Sequence, residues 1–186
     1  IKKQDVKDLI SFNGRDPVIN IAFKDLDVYQ VEKRVLKDKF VEEAELYKTL
    51  KGELKVSITQ RRPIIRVMRN DSSFYISDKG VLLPVSNRFA ARVPVVVETG
   101  KSVYFKKDYL ANEADSSFYD LMRVVDEDEF LNKVVSQILV DKKGNLTILP
   151  QVSKQRIMWG KPNDNENKLK RLKIFYKDIL PSQGWN

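Results

Sequence analysis

The stretch Leu54–Asn70, LKVSITQRRPIIRVMRN, decides how the chain is divided. Two strand-like runs, 54–59 and 64–67, flank Gln60-Arg61-Arg62-Pro63. Proline brings no N–H to a sheet and holds φ near −65°. It therefore belongs at an edge strand, a strand start or a boundary. One reading is a single sheet with an edge proline. The other is two small domains that share one continuous strand, with Arg61, Arg62 and Pro63 as the junction.

Working outward, residues 1–62 alternate between helical and strand periodicity. Residues 5–12 carry Val6, Leu9 and Ile10 on one helical face, and Asn13-Gly14 stops them. A short extended piece covers 17–23. Asp27 is a natural N-cap for a helix over 28–37 with Val28, Val31 and Val35 inward. Two β-runs follow, 41–50 with Ala44, Leu46 and Leu50 on one face, and 53–60 with Leu54, Val56 and Ile58. Lys51-Gly52 turns between them.

Beyond Pro63 the texture changes. Strands over 64–69, 73–77, 81–83 and 93–97 read as an antiparallel meander from their turn spacing. Two helices come next. Phe118, Leu121, Met122 and Val125 recur at helical spacing in the first. Asp126 and Glu129 form a capping-box pattern for the second, with Phe130, Leu131 and Val134 inward. Strands over 137–140, 146–149 and 155–159 precede a last helix over 166–179, with Leu169, Leu172, Phe175, Tyr176 and Ile179 inward and a stop at Pro181. The expected fold class is α+β: a small unit over 1–62, then a β domain over 63–186 whose antiparallel or mixed sheet carries packed helices.

Composition narrows the chemistry. The 186 residues contain no Cys and no His, which removes disulfides, thiolate metal sites and any Ser/His/Asp triad. No GxGxxG, Walker loop or GxSxG motif occurs. The acidic run Asp126–Glu129 suits a helix start, where negative charge is favourable, better than a metal site. Asn70-Asp71-Ser72 and Asn145-Leu146-Thr147 match the glycosylation sequon, but both fall where hairpin turns favour Asn. No cofactor is expected. No apolar run approaches the roughly 20 residues needed to cross a bilayer. A chain that opens at Ile1 is expected to be a processed or excised piece of a longer protein.

The net charge of +8 favours an acidic partner. From Lys142 to Lys177 there are ten Lys or Arg and two acids, Asp164 and Glu166. The last helix and the strands over 137–159 are expected to form one docking site, where Lys143, Lys168, Lys170 and Arg171 steer a partner and Trp185 lies near the edge that it joins. The plain reading is a solvated helix face. The functional reading is a dock for an acidic segment. Nucleic acid fits less well, since no aromatic residues interleave with the charges as stacking platforms. Anionic lipid is a third candidate.

Five stretches resemble, in order, the pattern of the FtsQ/DivIB family of bacterial cell-division proteins. They are FVEEAELYKTLKGELKVSITQRRPIIRV, FYISDKGVLLP, RVPVVVETG, GNLTILPQVSKQRIMWGK and ENKLKRLKIFYKDIL. Departures are Gln60 for the usual Glu, Phe40 for Trp, and Met158-Trp159-Gly160 for Leu-Gly. The resemblance implies a POTRA domain over 1–62 whose first strand precedes Ile1. It implies a β domain over 63–186 whose terminal strand follows Asn186. It also implies a non-enzymatic divisome scaffold, single-pass in the inner membrane with this part in the periplasm. That scaffold would bind FtsB/FtsL-type division proteins through its β domain. Other expectations are a different POTRA-bearing translocation or assembly factor, and a basic nucleic-acid-binding protein.

Overall fold

A computed structural model describes residues 3–11, 18, 22, 24–69, 72–86, 90–99, 103–105, 113–151 and 155–183. The chain divides into two compact units, Ile1–Arg62 and Pro63–Asn186.

The first unit contains α1 (Lys3–Ile10), α2 (Val28–Val35), β1 (Val41–Lys48) and β2 (Leu54–Gln60). The extended piece expected over 17–23 lies largely outside the described residues. Asp27 caps α2 as its sequence position demands: its backbone is extended and its carboxylate accepts from Gln30 N at 3.1 Å. Val31 and Val35 are buried, and the Arg34 guanidinium donates to the Ile10 carbonyl at 3.0 Å, tying α2 to α1. In the antiparallel hairpin, Ala44 faces Ile58 and Leu46 faces Val56. A bulge between Val41 and Glu43 adds one residue and flips the alternation, so Val41 and Ala44, three apart, both point inward. The strand ends at Lys48, and Leu50 is fully exposed in the turn rather than inward. Gly52, at φ +77°, provides the left-handed position that the turn requires.

The second unit runs β3 (Pro63–Met68), β4 (Ser73–Ser77), β5 (Leu82–Pro84), β6 (Val95–Glu98), α3 (Glu113–Glu127), α4 (Glu129–Val134), β7 (Val135–Val140), β8 (Leu146–Pro150), β9 (Ile157–Gly160), α5 (Asn165–Ile174), a π-helical turn (Phe175–Ile179) and α6 (Leu180–Gln183). Pro63 is the first residue of β3, a position where its missing N–H does no harm. Arg61 and Arg62 belong to neither strand, and β2 and β3 lie in separate sheets. The shared continuous strand is therefore not formed.

The seven strands order as β5-β4-β3-β6-β7-β8-β9. β6 pairs parallel with both β3 and β7, which overturns the simple meander. The signal was in the sequence: Val93-Pro94-Val95-Val96-Val97 is a continuous apolar run, as buried parallel strands are. The stretch between β6 and β7, which holds α3 and α4, is long enough to bring the chain back to the same end of the sheet. One row of side chains, Val67, Val96, Ile138 and Ile148, is fully buried and packs with Phe118, Leu121 and Met122 of α3. Leu131 of α4 and Leu169, Leu172, Tyr176 and Leu180 of the last helix complete this core.

Three helix details differ from the periodicity. The N-cap of α4 is Asp128, not Asp126, and accepts from Leu131 N at 3.0 Å. Phe130 is 38% exposed, whereas Leu131 is buried and Val134 packs against the core. Helix also continues through Pro181. Proline would remove a bond and clash with the carbonyl four residues back in an α-helix. The wider π turn just before it changes that register, and it places Leu180 rather than Ile179 in the core.

Candidate partner-docking site

β9 is the outermost strand on its side of the sheet, so its outer backbone groups have no described strand to pair with. Trp159 anchors it. The indole N–H donates to Asn165 Oδ1 at 3.2 Å, and the Asn165 amide donates to the Ser117 carbonyl at 3.0 Å. Those bonds fix β9, the start of α5 and α3 together. Between β9 and α5 runs a groove of about 670 Å³. Its apolar lining comes from Ile157, Met158, Trp159, Leu172 and Phe175. Its charged lining is Arg156, Lys168 and Arg171, with no carboxylate.

The predicted basic residues divide here. Arg171 is exposed, lines the groove and makes no ion pair or hydrogen bond through its side chain among the described residues. Lys168 also lines it but is tied down. It donates to the Lys161 carbonyl at 2.9 Å and to Asn163 Oδ1 at 3.0 Å, and its ammonium lies 5.7 Å from the Trp159 ring centre. Lys170 pairs with Glu166 at 2.8 Å, one helical turn back. That hydrogen bond holds the Glu166 carboxyl below its ordinary value. Lys143 sits in the β7–β8 turn, where its backbone N donates to Asp141 at 2.8 Å. The Lys161 ammonium donates to its carbonyl. Lys161 and Lys168 thus link that turn to α5. Trp185 lies outside the described residues. Arg61, Arg62 and Pro63 mark the boundary between the two units and do not enter the groove lining.

Sequence reasoning placed the strands over 137–159 in the docking surface without singling out Arg156 and Met158. Exposure alternates from Gln155 to Trp159, with Arg156 and Met158 outward and Ile157 and Trp159 toward the helices. A strand of alternating pattern beside Trp159 was legible, but not its position at the sheet edge.

The acidic run is used structurally. Asp128 caps α4 and accepts a charged hydrogen bond from Lys173, which is the main reason its carboxyl lies below the usual range. Glu129 pairs with Lys133 at 2.7 Å. Among the described residues no group of three carboxylates is placed to hold a metal ion. Nor does the Asn145 sequon sit at a left-handed position. In the Asn145 turn that conformation belongs to Gly144, at φ +78°, while the Asn145 amide is held by Asp141 at 2.9 Å. Asn70 and Asp71 lie outside the described residues.

A small α+β unit is followed by a mixed sheet with helices on one face and a basic groove at its edge. The profile of FtsQ/DivIB, C-terminal related, matches residues 62–186, and that of the POTRA-like domain matches residues 1–59. The chain belongs to the FtsQ/DivIB family, a family of membrane-anchored, non-catalytic cell-division scaffolds. Comparison with curated proteins gives no match. Among the described residues no helix is long and apolar enough to cross a membrane.

Proposed function

We propose that this chain is the partner-binding part of a division scaffold anchored in the inner membrane. It lies on the periplasmic side, is recruited to the septum, and holds FtsB/FtsL-type division proteins. The observation that carries this reading is the open edge of β9 over a groove lined by three cations and no anion. An extended segment that pairs with such an edge gains affinity from backbone hydrogen bonds, and side-chain pockets beside it give specificity. Charges on the rim steer the approach and change the association rate more than the final affinity.

Arg171 is the steering residue of choice, because Lys170 is already paired and Lys168 is held by two acceptors. Charge reversal of Lys170 and Arg171 to Glu should slow association with a division-protein peptide at low salt and flatten its salt dependence, while the fold survives. Arg171→Glu alone should account for most of that effect. An unchanged association rate for the double variant would reduce the basic face to a solvated helix surface. The POTRA-like unit is assigned to the membrane-proximal side, where it assists localisation.

A further inference from the structure

The β1–β2 hairpin of the first unit ends in a tip that its core does not use. Leu50 is fully exposed there, and Tyr47, on the face of the sheet away from the helices, is 52% exposed. Tyr47 pairs directly with Lys55 across the strands. Residues 47–55 hold Lys48, Lys51 and Lys55 against one acid, Glu53. The other acids of the hairpin, Glu42, Glu43 and Glu45, lie further back along β1. Lys51 and Lys55 are exposed and make no ion pair or hydrogen bond through their side chains among the described residues. The turn presents Leu50 rather than folding it away. Thr49 N donates to the Glu53 carbonyl at 2.8 Å, Gly52 N to the Thr49 carbonyl at 3.1 Å, and Glu53 N to Thr49 Oγ1 at 3.1 Å. A Cβ on Gly52 would meet nothing within 4 Å, so the tip is open on that side. The other end of the hairpin, where Val41 pairs with Gln60, is the end by which the chain leaves this unit.

A lone exposed leucine needs no explanation by itself. Here it stands with an aromatic ring and cations in a combination that suits a bilayer interface. An aliphatic side chain enters the acyl boundary, and tyrosine sits at the headgroups. Lysine stems lie along apolar surface while their ammonium groups reach lipid phosphates. The family is membrane-anchored, so such a surface is close at hand. Resting on the assignment of this unit to the membrane-proximal side, we propose that the 47–55 tip docks on an anionic phospholipid bilayer. Leu50 is inserted, Tyr47 lies at the headgroups, and Lys51 and Lys55 meet the phosphates.

The test uses the membrane-anchored scaffold, reconstituted in vesicles of phosphatidylcholine with or without an equal part of phosphatidylglycerol. The chain has no Cys, so an environment-sensitive dye is placed by Leu50→Cys, or by Thr59→Cys as a control near the other end of β2, once any cysteine of the anchor is replaced. The dye at position 50 should shift to the blue with phosphatidylglycerol present, and that at position 59 should not. Lys51→Glu with Lys55→Glu should lower the ratio of inserted to free tip at least about tenfold, and added salt should lower it too. Every substituted residue is exposed, and thermal unfolding checks that each variant keeps its fold. Energy transfer to a rhodamine-labelled lipid tests the placement of the unit separately: it should be stronger from Thr59→Cys than from Lys142→Cys in the second unit. If that order holds but position 50 stays in water, or inserts equally well without phosphatidylglycerol and after charge reversal, docking of the tip on an anionic bilayer is overturned and the membrane-proximal reading stands. If Lys142→Cys gives the stronger transfer, that reading falls and the tip assignment falls with it.

Discussion

The two units solve the problem of a hydrophobic core with very different means. In the first, two short helices cover a two-stranded sheet, and the buried set among the described residues is Leu26, Val31, Val35, Val41, Ala44 and Leu46. It contains no aromatic side chain. In the second, five aromatic residues, Tyr104, Phe105, Phe118, Trp159 and Tyr176, join a seven-stranded sheet. A domain of about 60 residues buries a smaller share of its surface than one twice as long, and two strands alone are marginal in water. The second unit therefore has stability to spare for an open edge with an exposed methionine. The first depends on every aliphatic contact.

Phe118 gives the largest expected effect. It is fully buried, stacks on Tyr104 at 5.0 Å and meets Phe105 edge-on at 5.2 Å. Phe118→Ala should cost about 3–5 kcal/mol and lower the melting temperature of the second unit. Amide exchange in β1 and β2 should not change. Accelerated exchange there would break the separation into two units.

Glu98 comes next. It is 2% exposed, pairs with Arg69 at 3.0 Å and accepts from Val103 N at 3.1 Å, while Arg69 also donates to the Phe105 carbonyl at 2.7 Å. This clip fastens residues 103–105 to the ends of β3 and β6. Glu98→Ala removes the acceptor of the part-buried Val103 N–H and the ion pair with Arg69. A loss of about 2–4 kcal/mol is expected, measured by denaturant unfolding. Glu98→Gln should recover part of it by restoring an acceptor.

Leu46→Ala probes the thin core. Leu46 faces Val56 across the hairpin and is 8% exposed. The expected cost is about 2–3 kcal/mol, less than for Phe118. A small unit has less to lose, so this variant should show the first unit unfolded well below the melting temperature of the second.

Much of this arrangement was legible because its determinants are local. Asp27 before an apolar helical face, Gly52 in a hairpin and Pro63 at a strand start each act within a few residues. The family resemblance rested on similar local motifs in order. The parallel placement of β6 was not legible from turn spacing, because it depends on where a long crossover returns the chain. Nor could periodicity foresee the π turn, in which Leu180 replaces Ile179 in the core. The basic face was readable as charge, but its division into tied and free cations was not. Asn163 and the Lys161 carbonyl claim Lys168 only once the turn between β9 and α5 is formed, whereas Glu166 meets Lys170 within α5, one turn back.

The smallest effect is the most specific. Asp128 has two jobs: it caps α4 and it binds Lys173 of α5. Asp128→Asn keeps the cap acceptor and loses the ion pair, so at pH 7 it should cost at most about 1 kcal/mol. Asp128→Ala loses both and should cost about 1 kcal/mol more. The pH dependence separates the two roles. The Asp128 carboxyl lies below its ordinary value when folded, chiefly through the Lys173 hydrogen bond. A depressed folded pKa gives stability that is fully present above the unfolded value of about 3.9 and disappears as pH falls through the lower folded value. Wild type and Asp128→Asn should therefore differ by a constant amount from pH 7 down to about pH 5, and converge below about pH 4. Added salt should shrink the difference at pH 7, since an exposed pair is screened, but leave the Asn-to-Ala step intact. If wild type and Asp128→Asn do not differ at pH 7 and low salt while Asp128→Ala does, Asp128 acts through capping alone.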